Sequence, residues 1–402
     1  MRLRLRDGSG AAVAGEYLHD CNRLFIDGTE IRPGPATPRD APRMLRVAVG
    51  KRCNFSCAYC HQGPWKQAEE KRGRPADIAA FCRREQDAGR PFASIQIWGG
   101  EPFVYFDAMR DLLRALHRNG VAGFSYDVTT NGSLLHGERL DWVLAHPEIH
   151  INISWDGPGQ FLRGKDVLRD ATTARSLRTL FDARPDTAIA PVISRHVDGA
   201  ADVLREAAAL LERKNVPMLD PALLVACDPA SRAQGKSPDE LRRYARDTAI
   251  LLLKRELPPT LGYYRNARLL GALFGSRLLT PEHDTMCFVG SRSTLTIDLE
   301  GNILTCQNFN ADSVDCSGDR HCRGNIFTGE YAPPEFSRLR ARRQGRCARC
   351  LLLQFCKGGC PYGEPAYEEY NCAVTFHQLL PLFLLAVFDR TGLIVQEIAP
   401  DA

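Results

Sequence analysis

Three cysteines, Cys53, Cys57 and Cys60, stand close together in the segment KRCNFSCAYCH, which runs from Lys51 to His61. Cysteine thiolates are the usual protein ligands of iron–sulfur clusters, so three of them on one short loop can bind three irons of a cubane cluster. The fourth iron would then lack a protein ligand and could bind a small molecule. The same thiols could instead bind zinc with His61 as a fourth ligand, or be buried core cysteines.

The spacing CxxxCxxC, with the aromatic Tyr59 before the last cysteine, resembles that of the radical S-adenosylmethionine (radical SAM) enzymes. The resemblance implies a [4Fe–4S] cluster on these three cysteines whose open iron binds S-adenosylmethionine. It also implies an external electron donor, such as flavodoxin or ferredoxin, and reductive cleavage of the cofactor to a 5′-deoxyadenosyl radical. Tyr59 would pack against the adenine, as the aromatic residue does in that family.

Three further motifs carry polar groups that suit this cofactor: GGEP at Gly99–Pro102, Asn131 in TTNG, and Ser154 with Asp156 in SWDG. In radical SAM enzymes GGEP binds the methionine amino group, which here implies Gly99, Gly100, Glu101 and Pro102. Glycines let a backbone approach a ligand closely. The resemblance places Asn131 near the cofactor and Ser154 and Asp156 at its ribose, although these dipeptides are also common turns. The sequence assigns no catalytic acid, base or hydrogen donor toward the substrate.

A second field of cysteines lies near the C-terminus. In order, the residues are Cys287, Cys306, Cys347, Cys350, Cys356, Cys360 and Cys372. Their spacing, with Gly301 five positions before Cys306, resembles the SPASM domain, an auxiliary-cluster extension of radical SAM peptide-modifying enzymes. CxxC pairs alone are also typical of zinc ribbons.

The SPASM resemblance implies two auxiliary [4Fe–4S] clusters, and hence three clusters in the whole chain. The ligands of one would be Cys347, Cys350, Cys356 and Cys372. The ligands of the other would be Cys287, Cys306 and Cys360. Either Cys316 or Cys322 completes the second auxiliary cluster, or its fourth iron stays open.

The motifs of the core follow strands of a predicted barrel. Six short apolar strands alternate with helices between residues 43 and 228, which favours a parallel sheet curled into a partial (β/α)6 TIM-like barrel. Working residues of such barrels lie at the carboxyl ends of the strands. CxxxCxxC, GGEP, TTNG and SWDG follow the first four strands in turn, so all four are predicted to face one rim.

The remaining segments give an α/β chain of four parts. We predict a small β-rich N-terminal extension over residues 1–42, the core barrel over 43–228, a helical connector over 229–285, and a cysteine-rich SPASM domain with a C-terminal helix over 286–402. Glu300 and Gly301 are predicted to form the turn of a hairpin, and Cys82 is predicted to be a core thiol.

Composition indicates an ordinary globular protein of 402 residues, with 44% hydrophobic and 25% charged residues and a formal charge of +4. No basic block interleaved with aromatic residues suggests nucleic-acid binding. The first residues lack the apolar stretch of a signal peptide, and the run from Leu379 to Phe388 is short for a membrane span and contains Pro381. Fifteen cysteines then favour metal-bound thiolates in a reducing cytoplasm.

Together these patterns predict a radical SAM oxidoreductase that modifies a side chain of a ribosomally synthesised precursor peptide. The expected product is an oxidative crosslink, either C–C or a C–S thioether. A formylglycine-forming, sulfatase-type maturase ranks lower, because its local aspartate motif is not found. A small-molecule radical SAM dehydrogenase generally has fewer auxiliary cysteines. GGEP argues against a non-enzymatic cluster or zinc protein, and the absence of a Gly-Gly tail argues against a molybdenum-cofactor cyclase.

Overall fold

The computed structural model describes residues 1–33, 43–63, 73–259, 261–275, 285–287, 293–314, 318, 320–333 and 337–399. The strands are β1 Arg2–Arg6, β2 Ala12–Leu18, β3 Arg23–Ile26, β4 Thr29–Glu30, β5 Met44–Gly50, β6 Ser94–Gly99, β7 Ser125–Thr130, β8 Ile149–Ile153, β9 Ala188–Ile189, β10 Val192–Ile193, β11 Ala222–Leu223, β12 Thr294–Asp298, β13 Asn302–Leu304, β14 Cys322–Asn325, β15 Glu330–Tyr331 and β16 Ile394–Ala399. The α-helices are α1 Pro75–Asp87, α2 Phe106–Arg118, α3 Glu138–Ala145, α4 Ala171–Ala183, α5 Ala200–Leu211, α6 Pro229–Gln234, α7 Pro238–Leu253, α8 Gly262–Ala272, α9 Ser337–Gln344, α10 Leu353–Cys356 and α11 Glu368–Thr391.

The central sheet is the predicted parallel barrel sheet. Strands β5 to β9 pair in sequence order, all parallel, and β10 pairs with β11 in the same sense. The predicted fifth strand is divided at Pro191, whose ring nitrogen cannot donate to a sheet ladder. The α/β fold with a parallel, curled sheet is therefore confirmed.

The barrel core lies on one face of its strands, where alternate side chains are buried. Alternate residues of β6 and β7 are fully buried, among them Ile95 and Val128, and α2 adds Met109 and Leu112 from one apolar stripe. Cys82 of α1 is 2% exposed within this cluster, so the prediction of a core thiol is confirmed.

The C-terminal hairpin extends this sheet on its other edge. Strands β12 and β13 are antiparallel around Gly301, which has a φ of +78°, so the predicted hairpin is confirmed. Strand β12 also pairs in parallel with β5, with Ile297 opposite Val47. Pairing between segments 250 residues apart leaves no local pattern, and the sequence had not indicated it. The edge of β5 that does not pair with β6 is thereby covered by a strand from the cysteine-rich part of the chain.

The N-terminal strands form a separate antiparallel sheet, as predicted, in the order β16-β1-β2-β3-β4. The alternating Arg and Leu of β1 place Leu3 and Leu5 on its buried face. Strand β16, for which no prediction was made, pairs with β1 and so joins the two ends of the chain. The division into four parts remains a proposal.

Helix α11 is the longest apolar element. It spans 24 residues and continues through Pro381, whereas the sequence predicted a shorter helix over roughly Val374 to Phe388. Among the described residues, Pro365–Thr391 is the one helical stretch long and apolar enough, by length and composition, to cross a membrane. In the fold Phe383 is fully buried, with its ring centroid 5.1 Å from that of Tyr17 and 6.0 Å from that of Phe274. The helix thus packs between the N-terminal sheet and α8.

The segment predicted as a helical connector contains the helices α6 to α8. Helix α7 begins with a capping box in which Ser237 Oγ accepts from the Glu240 N–H at 3.3 Å and Glu240 accepts from the Ser237 N–H at 2.6 Å. Helix α7 packs on α11.

Candidate functional site

The cysteine loop, residues 51–61, leaves β5 and lies directly against the GGEP motif. The Gly100 N–H donates to the Gly50 carbonyl at 3.0 Å, and the Glu101 N–H donates to the Arg52 carbonyl at 2.9 Å. A Cβ atom at position 100 would lie less than 3.0 Å from the Arg52 carbonyl oxygen, and one at position 99 would lie 2.8 Å from that of Gly50. The two glycines therefore allow the cysteine loop itself to approach.

Glu101 is buried, at 1% exposure, and its carboxylate binds the end of β7. Oε1 accepts from Thr130 Oγ1 at 2.6 Å and from the Phe103 N–H at 3.0 Å, while Oε2 accepts from the Asn131 N–H at 2.7 Å. Burial raises the pKa of Glu101, and these hydrogen bonds oppose the shift. A carboxylate has about four acceptor positions, so one remains on Oε2 for a further donor. Pro102 is buried and begins a short 3-10 helix.

Asn131 tethers the cysteine loop to the end of β7. Its Nδ2 donates to Asn54 Oδ1 at 2.9 Å, and Asn54 Nδ2 donates to Ser133 Oγ at 2.8 Å. The Asn131 Oδ1 accepts from the Ser133 hydroxyl at 2.6 Å. In this structure the amide of Asn131 thus connects two rim loops. Ser154, at the end of β8, is half-buried, and its N–H donates to the Thr130 carbonyl at 2.7 Å.

Tyr59 and Asp156 meet in a buried group with Arg163. The Tyr59 hydroxyl donates to Asp156 Oδ2, and the Arg163 guanidinium donates to both Asp156 oxygens at 2.9 Å. The Val192 N–H donates to Asp156 Oδ1 at 2.8 Å. The Arg163 guanidinium carbon also lies 5.5 Å from the centre of the Tyr59 ring. The Asp156 carboxylate, predicted to bind ribose, is therefore engaged by protein groups on both oxygens.

Arg163 had not been indicated by the sequence. Burial acts to lower the pKa of Arg163, but Asp156, Tyr59 and Cys57 together outweigh it and the pKa is raised, so the residue stays cationic. The guanidinium of Arg163 also interacts electrostatically with the thiol of Cys57. Nothing in its local sequence distinguishes it from the other cations of the chain. Only its seven-residue separation from an aspartate at a buried strand end could have suggested the pair.

His61 lies at the mouth of the barrel. Solvent reaches its side chain, yet protein surrounds it closely enough that desolvation lowers the pKa of the imidazole, with Asp228 acting in the opposite direction. Asp228 and Cys227 follow β11, and the Cys227 thiol interacts electrostatically with the Cys60 thiol. Residues after the first and the last barrel strands thus face each other across this mouth. The sequence also suggests His61 and Trp65 as packing or substrate-channel residues, and Trp65 lies outside the described residues.

The C-terminal cysteines fall into two groups of mutually interacting thiols. The inner set consists of Cys287, Cys306 and Cys360, and the outer set consists of Cys347, Cys350, Cys356 and Cys372. Burial raises the pKa of Cys306 to about 12, and its two partners in the inner set act in the same direction. Burial likewise raises the pKa of Cys356 to about 12, with all three partners in the outer set adding to it. These groups are the two ligand sets implied by the SPASM resemblance.

The donor chemistry of these groups fits iron–sulfur clusters. Cysteine thiolates are the expected ligands, the outer set supplies four, and the inner set supplies three. Burial disfavours the thiolate form of these cysteines, and the positive charge of a bound metal would compensate for that cost, since a coordinating thiol is deprotonated. In the ranges that the structure describes, no three His, Cys, Asp or Glu side chains are arranged to hold a single metal ion.

The two candidates for a further ligand of the inner set differ in what the structure says of them. Cys316 lies outside the described residues. Cys322 begins β14, opposite Leu304 of β13, and its thiol donates to the Gly324 carbonyl at 3.5 Å. The prediction for the inner set is therefore unchanged: Cys316 or Cys322 completes its cluster, or the fourth iron stays open.

Buried cations accompany these thiols, and the sequence had not indicated them. Lys51 is 5% exposed, and its charge acts on Cys306 and on Cys60. Burial lowers the pKa of Lys51 to about 8, an effect that the two thiols oppose. Arg342 acts on Cys360 and on Cys347, so it lies between the inner and outer sets.

Residues 47–185 match the radical SAM superfamily. The chain contains a radical SAM domain. This match covers the cysteine loop and the GGEP, TTNG and SWDG motifs, which the geometry above brings to one rim. The radical SAM domain begins within β5 and ends after α4.

Curated relatives match parts of this domain. A probable GTP 3′,8-cyclase of Methanothermobacter marburgensis is 34% identical over 113 residues, which are 28% of this chain and 34% of the relative. The radical SAM cyclopropyl synthase TigE of Paramaledivibacter caminithermalis is 21% identical over 171 residues, 38% of this chain and 36% of that protein. The chain thus spans a third or slightly more of the length of these relatives.

Solved structures match a larger share of the fold. The structure of anSMEcpe with bound AdoMet has a TM-score of 0.64 at 14% identity and covers 87% of this chain and 99% of that one. Streptococcus suis SuiB, bound to its precursor peptide SuiA, has a TM-score of 0.53 at 18% identity and covers 79% of this chain and 72% of SuiB. At these identities the likeness establishes a shared fold, which extends well beyond the radical SAM domain.

Proposed function

We propose that the chain is a SPASM-type radical SAM oxidoreductase that forms an oxidative crosslink, C–C or thioether, in a ribosomally made precursor peptide. The observation that carries the proposal is the sorting of seven distant cysteines into an inner set of three and an outer set of four beside a radical SAM domain. Two auxiliary sites suit a reaction whose substrate must lose an electron in addition to a hydrogen atom.

The cofactors would supply the radical chemistry, and the chain would supply binding and orientation. When bound, the clusters and S-adenosylmethionine provide a 5′-deoxyadenosyl radical that takes one hydrogen atom, and an electron sink for the second oxidation as a proton leaves. Cys53, Cys57 and Cys60 would hold the cluster that binds the cofactor. Glu101 Oε2 keeps an acceptor position for the methionine ammonium.

The remaining predicted contacts divide into direct and indirect ones. Ser154, half-buried at the end of β8, would contact the ribose. Asn131, Asp156 and Tyr59 would act mainly by fixing the cysteine loop, because their polar groups bind one another and the rim. Tyr59 can still present its ring to the adenine.

A peptide substrate is supported by the fold neighbours. SuiB was solved with its precursor peptide, and anSMEcpe was solved with the Cp18Cys peptide. In this chain the mouth of the barrel carries His61, Cys227 and Asp228, which would face such a substrate. The external donor, flavodoxin or ferredoxin, is part of the same proposal.

The proposal is tested by co-expressing the chain with short peptides encoded beside its gene. A crosslink is expected to lower a peptide's mass by two hydrogens and to suppress fragmentation between the joined residues. Formylglycine would instead react with an aldehyde-capture reagent. Purified, reconstituted enzyme with dithionite should release 5′-deoxyadenosine, and its release should increase with the unmodified peptide.

The cyclase relatives supply the competing outcome. If GTP stimulates 5′-deoxyadenosine release and is itself consumed, while no neighbouring peptide changes mass, the peptide proposal is wrong. If a small alcohol or another metabolite does so, the dehydrogenase class is favoured.

Cysteine variants test the two auxiliary sites separately. The reconstituted chain should bind about twelve irons, four per cluster. Cys356→Ser in the outer set and Cys306→Ser in the inner set should each lose about four of these irons, because a missing thiolate opens the cluster to loss. Measured iron and sulfide content checks this expectation.

Cys82→Ser serves as the matched control, since Cys82 is a buried thiol of α1. It should keep its full iron content. Equal iron loss in all three variants would mean that the losses report general instability and not ligation.

A further inference from the structure

Lys51 is the first residue of the cysteine loop, and its side chain lies against the inner set. Its Nζ donates to the carbonyl of Gln307, the residue that follows Cys306. Its ammonium interacts electrostatically with the Cys306 thiol and with the Cys60 thiol. One buried ammonium therefore faces ligands of two different predicted clusters.

The sheet explains why a residue of the loop reaches the inner set. Strands β5 and β12 are parallel, with Ala48 opposite Asp298, so both strands end at the same edge. Lys51 follows β5 directly, and Asp298 also interacts with its ammonium. The chain then turns through β13 to Cys306. The pairing of β5 with β12 thus fixes the position of both cysteine groups relative to Lys51.

Arg46, also on β5, is a second cation near the inner set. Its charge acts on Cys287 and Cys306, and Nη1 donates to Gln307 Oε1 at 3.4 Å. Both of these thiols belong to the inner set. Arg46 and Lys51 therefore offer a natural comparison between a cation of one site and a cation shared by two.

We propose that Lys51 is a positioning residue shared by two clusters, whose ammonium holds the inner set against the cysteine loop and raises the reduction potential at both. Reduction adds negative charge to a cluster, and a nearby buried cation stabilises that charge. Hydrogen bonding and charge around the sulfurs are known determinants of cluster potential. The proposal rests on the proposed function, because it needs clusters at both groups of thiols.

The test is a redox titration of the reconstituted full chain, followed by electron paramagnetic resonance. Cys306→Ser and Cys57→Ser preparations assign the signals of the inner set and the cysteine loop. In Lys51→Met, the midpoint potentials of both clusters should shift downward. Lys51→Arg, which keeps the charge, should have midpoint potentials close to those of the wild-type protein. Arg46→Met should lower the potential of the inner-set cluster alone.

Lys254→Met is the surface control, because the Lys254 side chain is 63% exposed. It should leave both potentials unchanged. Full iron content with unchanged potentials in Lys51→Met would overturn the proposal, and so would a shift confined to the inner set. If Lys51→Met does not assemble both clusters, Lys51→Gln, which keeps a donor for the Gln307 carbonyl, is titrated against the same criteria.

Failure of the proposed function looks different. Wild-type protein that assembles no iron–sulfur cluster contradicts the proposed function, and the role of Lys51 falls with it. Clusters that assemble and support 5′-deoxyadenosine release, but whose potentials ignore Lys51, contradict only the inference about Lys51.

Discussion

Gly100→Ala is expected to abolish the cysteine loop as a cluster site. The new methyl group would lie less than 3.0 Å from the backbone carbonyl oxygens of Lys51 and Arg52, and neither oxygen can rotate away as a side chain would. The loop must therefore move away from β6, which breaks the Gly100–Gly50 and Glu101–Arg52 hydrogen bonds. Overpacking of this kind costs about 3 kcal/mol of folding stability.

The functional effect of Gly100→Ala should exceed its effect on stability. A displacement of about 1 Å at a reactive centre lowers rates roughly a hundredfold. We expect at least that loss in 5′-deoxyadenosine release, together with loss of the iron bound by the cysteine loop. Iron analysis, thermal unfolding and product release on the same preparations measure the three effects.

Gly63→Ala is the matched control for this experiment. Gly63 is close to the loop in sequence, and a Cβ atom at that position would meet no atom of the described residues within 4 Å. It should retain stability, iron and activity. A Gly100→Ala protein that loads and turns over like Gly63→Ala would show that the loop does not need the close backbone contact.

Among substitutions at the rim that remove a polar side-chain group, Arg163→Met is expected to lower the folding stability most. It leaves Asp156, which is 1% exposed, without its cationic partner. Removing one member of a buried ion pair costs about 3 kcal/mol or more. Tyr59 also loses its neighbour, and the segment that anchors the loop through Asp156 should loosen. Chemical unfolding of the apo chain measures the stability loss without any cofactor.

Two variants separate this effect from a simple loss of charge. Arg246→Met removes a surface cation whose partner Asp247 is also exposed, and it should change the free energy of unfolding by less than about 1 kcal/mol. Arg163→Met combined with Asp156→Leu should recover part of the loss, because the uncompensated carboxylate is gone. If the double variant is as unstable as the sum of the two single ones, the pair is not coupled.

Local patterns in the sequence predicted part of the architecture. Alternating strand and helix signals predicted the parallel barrel sheet, and the turn at Gly301 predicted the β12–β13 hairpin. The C-terminal helix was predicted over roughly Val374 to Phe388, which already includes Pro381, and α11 extends beyond that range at both ends, over Glu368–Thr391. The pairing of β1 with β16 was missed because contact between distant strands has no sequence period.

The candidate site divides in the same way. Spacing singled out Cys53, Glu101 and Asp156 as residues of one rim, and the structure brings their segments together. The roles of individual groups were not readable from spacing: the glycines of GGEP admit the cysteine loop, and Asp156 binds Arg163. Those roles depend on which backbone or side chain lies opposite, and that is set by strand register.

By itself, the sequence determined the types of chemistry that this protein can support and the order of the elements that carry them, because cysteine spacing and hydrophobic period are local properties. The resemblance to the SPASM domain already implied how the seven C-terminal cysteines divide into two sets. Only the tertiary structure decided that Lys51, at the start of the cysteine loop, lies against the inner set. The physical reason is the parallel pairing of β5 with β12, which brings together residues some 250 positions apart. Charge acts through space at a few ångströms, and the distances between such residues are fixed by folding.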